Sequence, residues 1–175
     1  MNVNISENKA QRKFGCLMVM FDITEGDWKE IGNKINFHAD TYNDETGKFG
    51  AETEPHVTVL YGIHDDQVTI EEIKAIIPPI IEMTAILTAI SHFECPAYDV
   101  LKFEMDAPKF HLVNSAMRNV LPYSTDYPNY TPHMTIAYLN KGTGIKYSNN
   151  KLSVPLKPKQ YKYGFADGRD EFFIK

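Results

Sequence analysis

Two segments of this chain carry the same pattern, Pro-His-x-Thr followed by an aliphatic run. The first copy is residues 55–63, PHVTVLYGI, and the second is residues 132–139, PHMTIAYL. Their histidines, His56 and His133, are separated by 77 positions. A strand-like segment, a helix-like segment and a polar loop precede each copy in the same order. Two copies are too few for a solenoid, so the pattern favours an internal duplication with pseudo-two-fold symmetry, which would bring the motifs together.

Strand alternation predicts which side chains of each motif share a face. One face carries the histidine, the threonine and the residue two positions beyond, which are His56, Thr58 and Leu60 in one copy and His133, Thr135 and Ala137 in the other. The opposite face is apolar and ends in Tyr61 or Tyr138, for which we expect core packing. The histidine and threonine of each copy are therefore expected to line a cleft.

Paired imidazoles suit acid–base catalysis at a phosphodiester. Near neutral pH one histidine can accept a proton while the other donates one. Each threonine hydroxyl can donate a hydrogen bond to a non-bridging phosphate oxygen. The base would activate water against a 2′,3′-cyclic phosphate, or a 2′-hydroxyl against the adjacent phosphorus. We therefore predict a metal-independent phosphodiesterase whose catalytic residues are His56, Thr58, His133 and Thr135.

The rest of the chain predicts a mixed order in which strands outnumber helices. Apolar β-type runs predict strands near residues 15–21, 56–63, 82–94, 99–106, 133–139, 152–156, 160–165 and 171–174. Helical spacing predicts helices at residues 25–35, 69–77 and 108–121. Thr69 and Glu72 can form a capping box for the second helix, and Pro108 fits the first turn of the third.

Charge and histidine spacing limit the partners of the chain. The net charge of -5 disfavours binding of long duplex nucleic acid, because such binding relies on many lysines and arginines. A small nucleotide is the better match. We expect no cofactor and no metal, because the other histidines, His38, His64, His92 and His111, lack the spacing typical of zinc ligands.

Length and termini predict a single domain over residues 15–175 behind a flexible, polar N-terminus of residues 1–14. That terminus lacks the apolar core of a signal peptide, and no apolar run approaches the roughly 20 residues of a membrane helix. We expect a cytoplasmic monomer without membrane contact, with Cys16 and Cys95 as core thiols. Fifteen lysines against three arginines suit an AT-rich genome such as that of many phages, which would place the protein in the host cytoplasm.

Aromatic and basic residues outside the motifs supply further candidates for substrate contact. Rings in the loops before the motifs could stack on bases at roughly 1 to 3 kcal/mol each, and these are Tyr42 and Phe49 before the first, and Tyr123, Tyr127 and the preferred Tyr130 before the second. Lys141 and Arg169 are candidates for a phosphate or sugar contact. The alternatives are ordinary surface tyrosines and a solvated, salt-bridged turn.

The strings PHVTVLYG and PHMTIAYL resemble the paired signatures of the 2H phosphoesterase superfamily. That superfamily includes 2′-5′ RNA ligase-like proteins, 2′,3′-cyclic nucleotide phosphodiesterases, 2′-5′ oligoadenylate phosphodiesterases and phage anti-CBASS enzymes. The resemblance implies a bilobal, pseudo-two-fold α+β fold with two antiparallel sheets around a central cleft and helices outside. It also implies catalytic roles for His56 and His133, and phosphate contacts for Thr58 and Thr135.

Three functions remain open from the sequence. The first is cleavage of a small nucleotide with a 2′,3′-cyclic, 2′-5′ or cyclic-oligonucleotide phosphodiester, including a phage enzyme that clears host defence signals. The second is processing of tRNA or other RNA ends, which calls for a basic rim that is not obvious here. The third is a non-catalytic module that sequesters a nucleotide. Loss of a motif His or Thr would indicate the third, and all four residues are present.

Overall fold

The computed structural model describes residues 13–23, 37–44, 49–148 and 151–175. Most of the N-terminal segment 1–14 and the helix expected at residues 25–35 lie outside the described residues. The strands are β1 (Gly15–Asp22), β2 (His56–Ile63), β3 (Ala85–Glu94), β4 (Tyr98–Asp106), β5 (His133–Asn140), β6 (Lys151–Gly164) and β7 (Asp170–Phe173). The helices are α1 (Ile70–Ile76) and α2 (Pro108–Val120), with 3-10 turns at His38–Asp40, Ile80–Glu82 and Gly144–Tyr147.

Both described helices begin where local chemistry predicts. At α1 the Glu72 backbone N–H donates to the Thr69 hydroxyl at 3.3 Å, and the Glu72 carboxylate accepts from the Thr69 N–H at 2.8 Å. This capping box satisfies two donors of the first turn. Helix α2 starts at Pro108, whose missing N–H costs nothing there. Its Phe110 packs on Phe21 of β1 at 6.2 Å, on the apolar side of the sheet.

The strands form two antiparallel sheets that share β6. The strand order is β2-β1-β6-β3-β4-β5. Outside this order, β7 pairs with residues 161–164 of β6. The first part of β6, residues 151–156, pairs with β3, and the second part, residues 157–164, pairs with β1. Two separate strands, at residues 152–156 and 160–165, were expected here, and Pro155 and Pro158 lie in this segment. That prediction was wrong, since each proline removes only one ladder donor and the strand changes partners between them.

Reciprocal crossings join the two sheets at their outer strands. The motif strands β2 and β5 end the strand order at opposite sides, yet they contact each other. The segment before β2 pairs with β5, where the Glu52 N–H donates to the Ile136 carbonyl at 2.8 Å. The segment before β5 pairs with β2, where the Ser124 N–H donates to the Gly62 carbonyl at 2.9 Å. Each motif strand is therefore covered by the segment that leads to the other motif.

Burial places the core on the side of the sheets away from the histidines. Leu17 and Val19 of β1 and Leu101 and Phe103 of β4 are fully buried there. Cys16 is buried. The expectation of a core thiol was wrong for Cys95, which is only half-buried because it lies in the turn before β4, where its N–H donates to the Tyr98 carbonyl. In the described part of the chain, no helix has the length and apolar character to cross a membrane.

Candidate active site

A β-bulge follows the threonine in the first motif strand. Thr58 pairs with Met18 of β1, but Leu60 pairs with Leu17, so one extra residue is inserted in β2. Val59 and Leu60 are both buried as a result. The prediction that Leu60 shares the face of His56 was wrong, because a bulge shifts the alternation by one position.

The second motif strand has the same bulge at the matching place. Thr135 pairs with Lys102 of β4, whereas Ala137 pairs with Leu101. Ile136 and Ala137 are both buried. The expectation that Ala137 lies on the histidine face was therefore also wrong. The pseudo-two-fold relation of the motifs extends to this irregularity of the backbone.

The bulges return a tyrosine to the histidine face of each strand. Tyr61 pairs with Cys16, and Tyr138 pairs with Val100. Cys16 and Val100 lie two positions before the residues that pair with Thr58 and Thr135, so they are on the same face as those residues. Tyr61 is 42% exposed and Tyr138 is half-buried. Core packing was expected for both tyrosines and is not what the structure shows. Each motif therefore presents a histidine, a threonine and a tyrosine on one face.

Both motif histidines are fixed by the same backbone contact. His56 Nδ1 lies 2.7 Å from the Glu54 carbonyl, and His133 Nδ1 lies 2.9 Å from the Thr131 carbonyl. A carbonyl oxygen can only accept, so Nδ1 carries the hydrogen in each ring. That tautomer leaves Nε2 to exchange a proton with a substrate.

His133 lies at the contact between the motifs. Its ring meets the edge of Phe93 at 5.1 Å between centroids. Burial lowers the pKa of His133, and the charges of Lys102 and His56 lower it further, against opposing effects of the Thr131 carbonyl and Glu104. His56 is among the groups that lower this pKa, and the two motif strands contact each other. At neutral pH the His133 ring is therefore predominantly neutral.

A polar network that the sequence reasoning missed lies beside His133. Lys102, only 2% exposed, donates to the Ser91 hydroxyl at 2.7 Å, forms an ion pair with Glu104, and lies over the ring of Phe93 at 4.3 Å. Ser91 donates to Glu104 at 2.5 Å. Burial favours a higher pKa for Glu104, but the hydrogen bonds from Lys102 and Ser91 lower it overall. The available signal was the alternation of Lys102 and Glu104 with the apolar residues Leu101, Phe103 and Met105.

A second buried lysine supports the first motif. Lys162 of β6 is 6% exposed and binds the Glu54 carboxylate at 2.6 Å and the Asp170 carboxylate at 3.3 Å. Glu54 is also the residue whose carbonyl holds His56. Lys162 therefore fixes the segment that orients this histidine, a role that the sequence did not indicate.

Tyr130, the preferred aromatic candidate, lies at the site. Its hydroxyl donates to the Thr58 carbonyl at 2.8 Å, and its ring meets His111 of α2 at 5.5 Å. Asn114, also on α2, donates to the Val59 carbonyl at 2.8 Å. Tyr130 and Asn114 therefore donate to two backbone carbonyls at the bulge of β2. Without them, these carbonyls on the edge of the strand would lack a hydrogen-bond donor.

Of the other aromatic candidates, Tyr42 and Phe49 lie on the site-facing side of β4 and β5. Tyr123 instead pairs with Ile63 at the far end of β2, and its hydroxyl accepts from Arg118 at 2.8 Å. Tyr42 and Phe49 form a cluster with Tyr98 and Tyr138, with ring centroids 4.9 to 5.5 Å apart. Burial, with smaller effects of Cys95, Tyr127 and Tyr42, raises the pKa of Tyr98. Tyr127 is 75% exposed and near enough to Tyr98 to influence its titration. We call the packed rings of Tyr42, Phe49, Tyr98 and Tyr138 the aromatic cluster.

The two basic candidates lie away from the histidines. Lys141 follows the far end of β5 and pairs with Glu94 at 3.3 Å and Asp99 at 3.4 Å. Arg169 lies in the turn between β6 and β7 and pairs with Asp167 at 2.7 Å. Within the described ranges, no three or more His, Cys, Asp or Glu side chains are grouped to hold a metal ion.

Comparison with known proteins identifies a family and a fold. A family model described as the 2′-5′ RNA ligase superfamily matches residues 27–163. Kluyveromyces marxianus Usb1 is similar in structure, with a TM-score of 0.59 and 9% identity over 94% of this chain and 99% of that one. A structure of Usb1 with uridine monophosphate gives a TM-score of 0.56 at 9% identity, over 95% and 100%.

Escherichia coli LigT complexed with 3′-AMP is also similar, with a TM-score of 0.51 and 16% identity over 93% of this chain and 96% of that one. No curated protein sequence matches the chain. At these low identities the structural likeness concerns the fold. It confirms the expected α+β architecture with two antiparallel sheets.

Proposed function

We propose that this chain, which is a phosphodiesterase of the 2′-5′ RNA ligase superfamily of 2H phosphoesterases, cleaves a small nucleotide phosphodiester without a metal. One observation carries the proposal. His56 and His133 are each held through Nδ1 by the carbonyl two residues before, on two motif strands that contact each other. Two Nε2 atoms are thus available at one site for acid–base catalysis.

The reaction needs one histidine to accept a proton and the other to donate one. The base takes a proton from water or from a 2′-hydroxyl, and the resulting oxygen attacks phosphorus. The acid gives its proton to the departing ribose oxygen as the old P–O bond breaks. Thr58 and Thr135 donate hydrogen bonds to the non-bridging oxygens, where negative charge accumulates. The product is a phosphomonoester from a 2′,3′-cyclic substrate, or a cyclic phosphate from a chain with a free 2′-hydroxyl.

Size and charge support a small substrate. The net charge is -5, and Lys102 and Lys162, on the site-facing side of the sheets, are buried and paired with carboxylates. A long RNA or a tRNA end calls for an exposed basic rim, which these lysines do not supply. The solved LigT and Usb1 structures hold 3′-AMP and uridine monophosphate, which are of the size we propose here.

The aromatic cluster supports recognition of a nucleobase. Tyr42, Phe49 and Tyr138 stand beyond Thr135 on its face of β5, and the exposed Tyr127 lies near them. Stacking on such rings tolerates different bases. The proposed substrates are 2′,3′-cyclic, 2′-5′-linked or cyclic-oligonucleotide phosphodiesters.

The proposed biological role is counter-defence. In this role the protein is encoded by a phage and acts as a monomer in the host cytoplasm.

Turnover in the presence of EDTA tests the proposal. The substrates are 2′,3′-cyclic mononucleotides, 2′-5′ oligoadenylate, cyclic di- and trinucleotides and a short RNA end. We expect the wild-type protein to cleave a small nucleotide, and His56→Ala and His133→Ala to lose at least about 1,000-fold in kcat. His64→Ala is the matched control, because His64 lies at the other end of β2 and contacts Ser124.

Four results would contradict it. Activity that EDTA abolishes would place a metal in the mechanism. Activity that survives both histidine substitutions would place the site elsewhere. Nucleotide binding without turnover would favour the sequestering module, and preference for the RNA end over every small nucleotide would favour RNA processing.

A further inference from the structure

Each half of the site carries an edge-to-face pair of aromatic rings beyond its threonine. In the second half, Tyr138 packs against Tyr98, with ring centroids 5.5 Å apart and an interplanar angle of 77°. In the first half, Tyr61 packs against Phe14, with ring centroids 6.3 Å apart and an interplanar angle of 80°. The two halves therefore present aromatic pairs of the same geometry.

The register of the sheets makes these two pairs equivalent. Cys16 of β1 is the ladder partner of the first tyrosine, and Val100 of β4 is the ladder partner of the second. Phe14 lies two positions before Cys16, and Tyr98 lies two positions before Val100. The pseudo-two-fold relation of the motifs thus extends from the histidines, through the bulges, to the aromatic pairs.

Each tyrosine lies at the distance of one ribose from the threonine of its strand. Thr58 pairs with Met18 and Tyr61 pairs with Cys16, two positions further along β1. Two positions of a strand correspond to roughly 7 Å. The second half has the same spacing along β4. A phosphate between the two threonines would therefore have one tyrosine on each side, within reach of a base on each flanking ribose.

Tyr61 has few contacts that a structural role would require. Its side chain is 42% exposed. Among the described residues, no group forms a hydrogen bond with its hydroxyl, and Phe14 is the one aromatic ring packed against it. Tyr138, its equivalent, is half-buried in the aromatic cluster. An exposed aromatic ring beside a phosphate site is available to stack on a base.

We infer that Tyr61, supported by Phe14, binds a second nucleobase, so that the substrate is a phosphodiester that joins two nucleosides. This inference rests on the proposed function. The aromatic cluster takes one base and Tyr61 takes the other. Linear 2′-5′-linked dinucleotides and cyclic dinucleotides have a base on each side of the scissile phosphate. A 2′,3′-cyclic mononucleotide has one base and leaves Tyr61 without a partner.

The two base-binding places are unequal in size. The aromatic cluster contains four rings, whereas the pair of Phe14 and Tyr61 contains two. A ligand with one base is expected in the cluster, which offers the larger aromatic surface. Tyr61 is then engaged only when the ligand carries a second base. Removal of its ring should weaken the binding of dinucleotides and spare ligands with one base.

A binding comparison that needs no turnover tests the second base site. The ligands are 2′-5′-linked diadenosine monophosphate and its two derivatives in which one or the other adenosine is replaced by an abasic ribose. The protein is the double variant His56→Ala, His133→Ala, so that no ligand is cleaved, and isothermal titration calorimetry measures Kd. We expect the two-base ligand to bind about 10-fold more tightly than either one-base ligand.

Substitution of Tyr61 in that protein identifies the ring responsible. Tyr61→Ala should remove the advantage of the two-base ligand and leave Kd for the one-base ligands within about two-fold. Tyr61→Phe keeps the ring and should keep the advantage. Far-UV circular dichroism establishes that each variant is folded. A merely structural role of Tyr61 predicts equal losses for all three ligands and would overturn the inference.

Turnover by the wild-type protein keeps the two proposals distinguishable. The abasic derivatives retain the departing ribose oxygen, so Tyr61→Ala should raise KM for the two-base substrate and leave kcat nearly unchanged. Failure of the wild-type protein to cleave any phosphodiester would contradict the proposed function alone. Equal Kd values for the three ligands, an advantage that survives Tyr61→Ala, or absence of binding would overturn the inference about the second base.

Discussion

The Tyr130 hydroxyl donates a hydrogen bond to the Thr58 carbonyl at 2.8 Å, across 72 positions of sequence. The loop before the second motif is thereby attached to the strand of the first. Burial raises the pKa of Tyr130, so its hydroxyl stays protonated and remains a donor throughout the working pH range. The aromatic residue expected to contact substrate thus also has a structural role.

Removal of that hydroxyl should weaken the fold. Tyr130→Phe leaves the Thr58 carbonyl without this donor, and we expect a loss of about 1 kcal/mol in the free energy of unfolding. Urea denaturation measures it, with Tyr127→Phe as control because the Tyr127 side chain is exposed. Unchanged stability with a raised KM would instead show that the hydroxyl serves substrate binding alone.

The bulge in β2 depends on a buried amide. Asn114 donates to the Val59 carbonyl at 2.8 Å, and Asn114→Ala removes that donor inside the protein. We expect a loss of about 2 kcal/mol, since an unsatisfied buried acceptor is costly. Asn119→Ala is the matched control, because Asn119 is exposed on the same helix. Equal stability of the two variants would show that the bulge forms without the amide.

Lys162 should contribute more to stability than a surface lysine of the same strand. Lys162→Met leaves the Glu54 and Asp170 carboxylates without this cation, and we expect a loss of about 3 kcal/mol. Lys159→Met removes an exposed pair with Asp22 and should cost less than about 1 kcal/mol. Chemical denaturation of both variants measures the difference. Similar losses would contradict the role given to Lys162 as a buried anchor.

The lowered pKa of His133 predicts how stability depends on pH. The unfolded chain binds a proton at this histidine more readily than the folded protein does, so protonation favours unfolding. The contribution is complete above the ordinary histidine pKa of 6.5 and is lost as pH falls through the lower folded value. The fall in unfolding free energy from pH 7 to pH 5 should be smaller in His133→Asn. An identical pH dependence in the variant would contradict the assigned shift.

Local chemistry was sufficient to predict several elements. The capping box of Thr69 and Glu72 and the N-terminal Pro108 placed both described helices, and the apolar runs placed the motif strands. The motif strings also identified the family. These features depend on neighbouring residues, so one sequence is enough to recognise them.

The bulges could not be predicted in the same way. Residues 59–60 and 136–137 contain no glycine or proline, and the extra residue is visible only in the pairing with β1 and β4. The roles of Lys102 and Lys162 were missed for a similar reason. Their partners Ser91 and Glu54 lie 11 and 108 positions away, and only the folded sheet brings them together.

The crossings of residues 50–52 and 122–124 make the two halves depend on each other. Each half covers its motif strand with backbone supplied by the other, so a lone half would expose that edge to solvent or to aggregation. We expect an isolated half to close its sheet only by exchanging this segment with an identical copy, as in a swapped homodimer. Within one chain the exchange is intramolecular, and the two halves can differ, with methionines beside one motif strand and an ion pair beside the other.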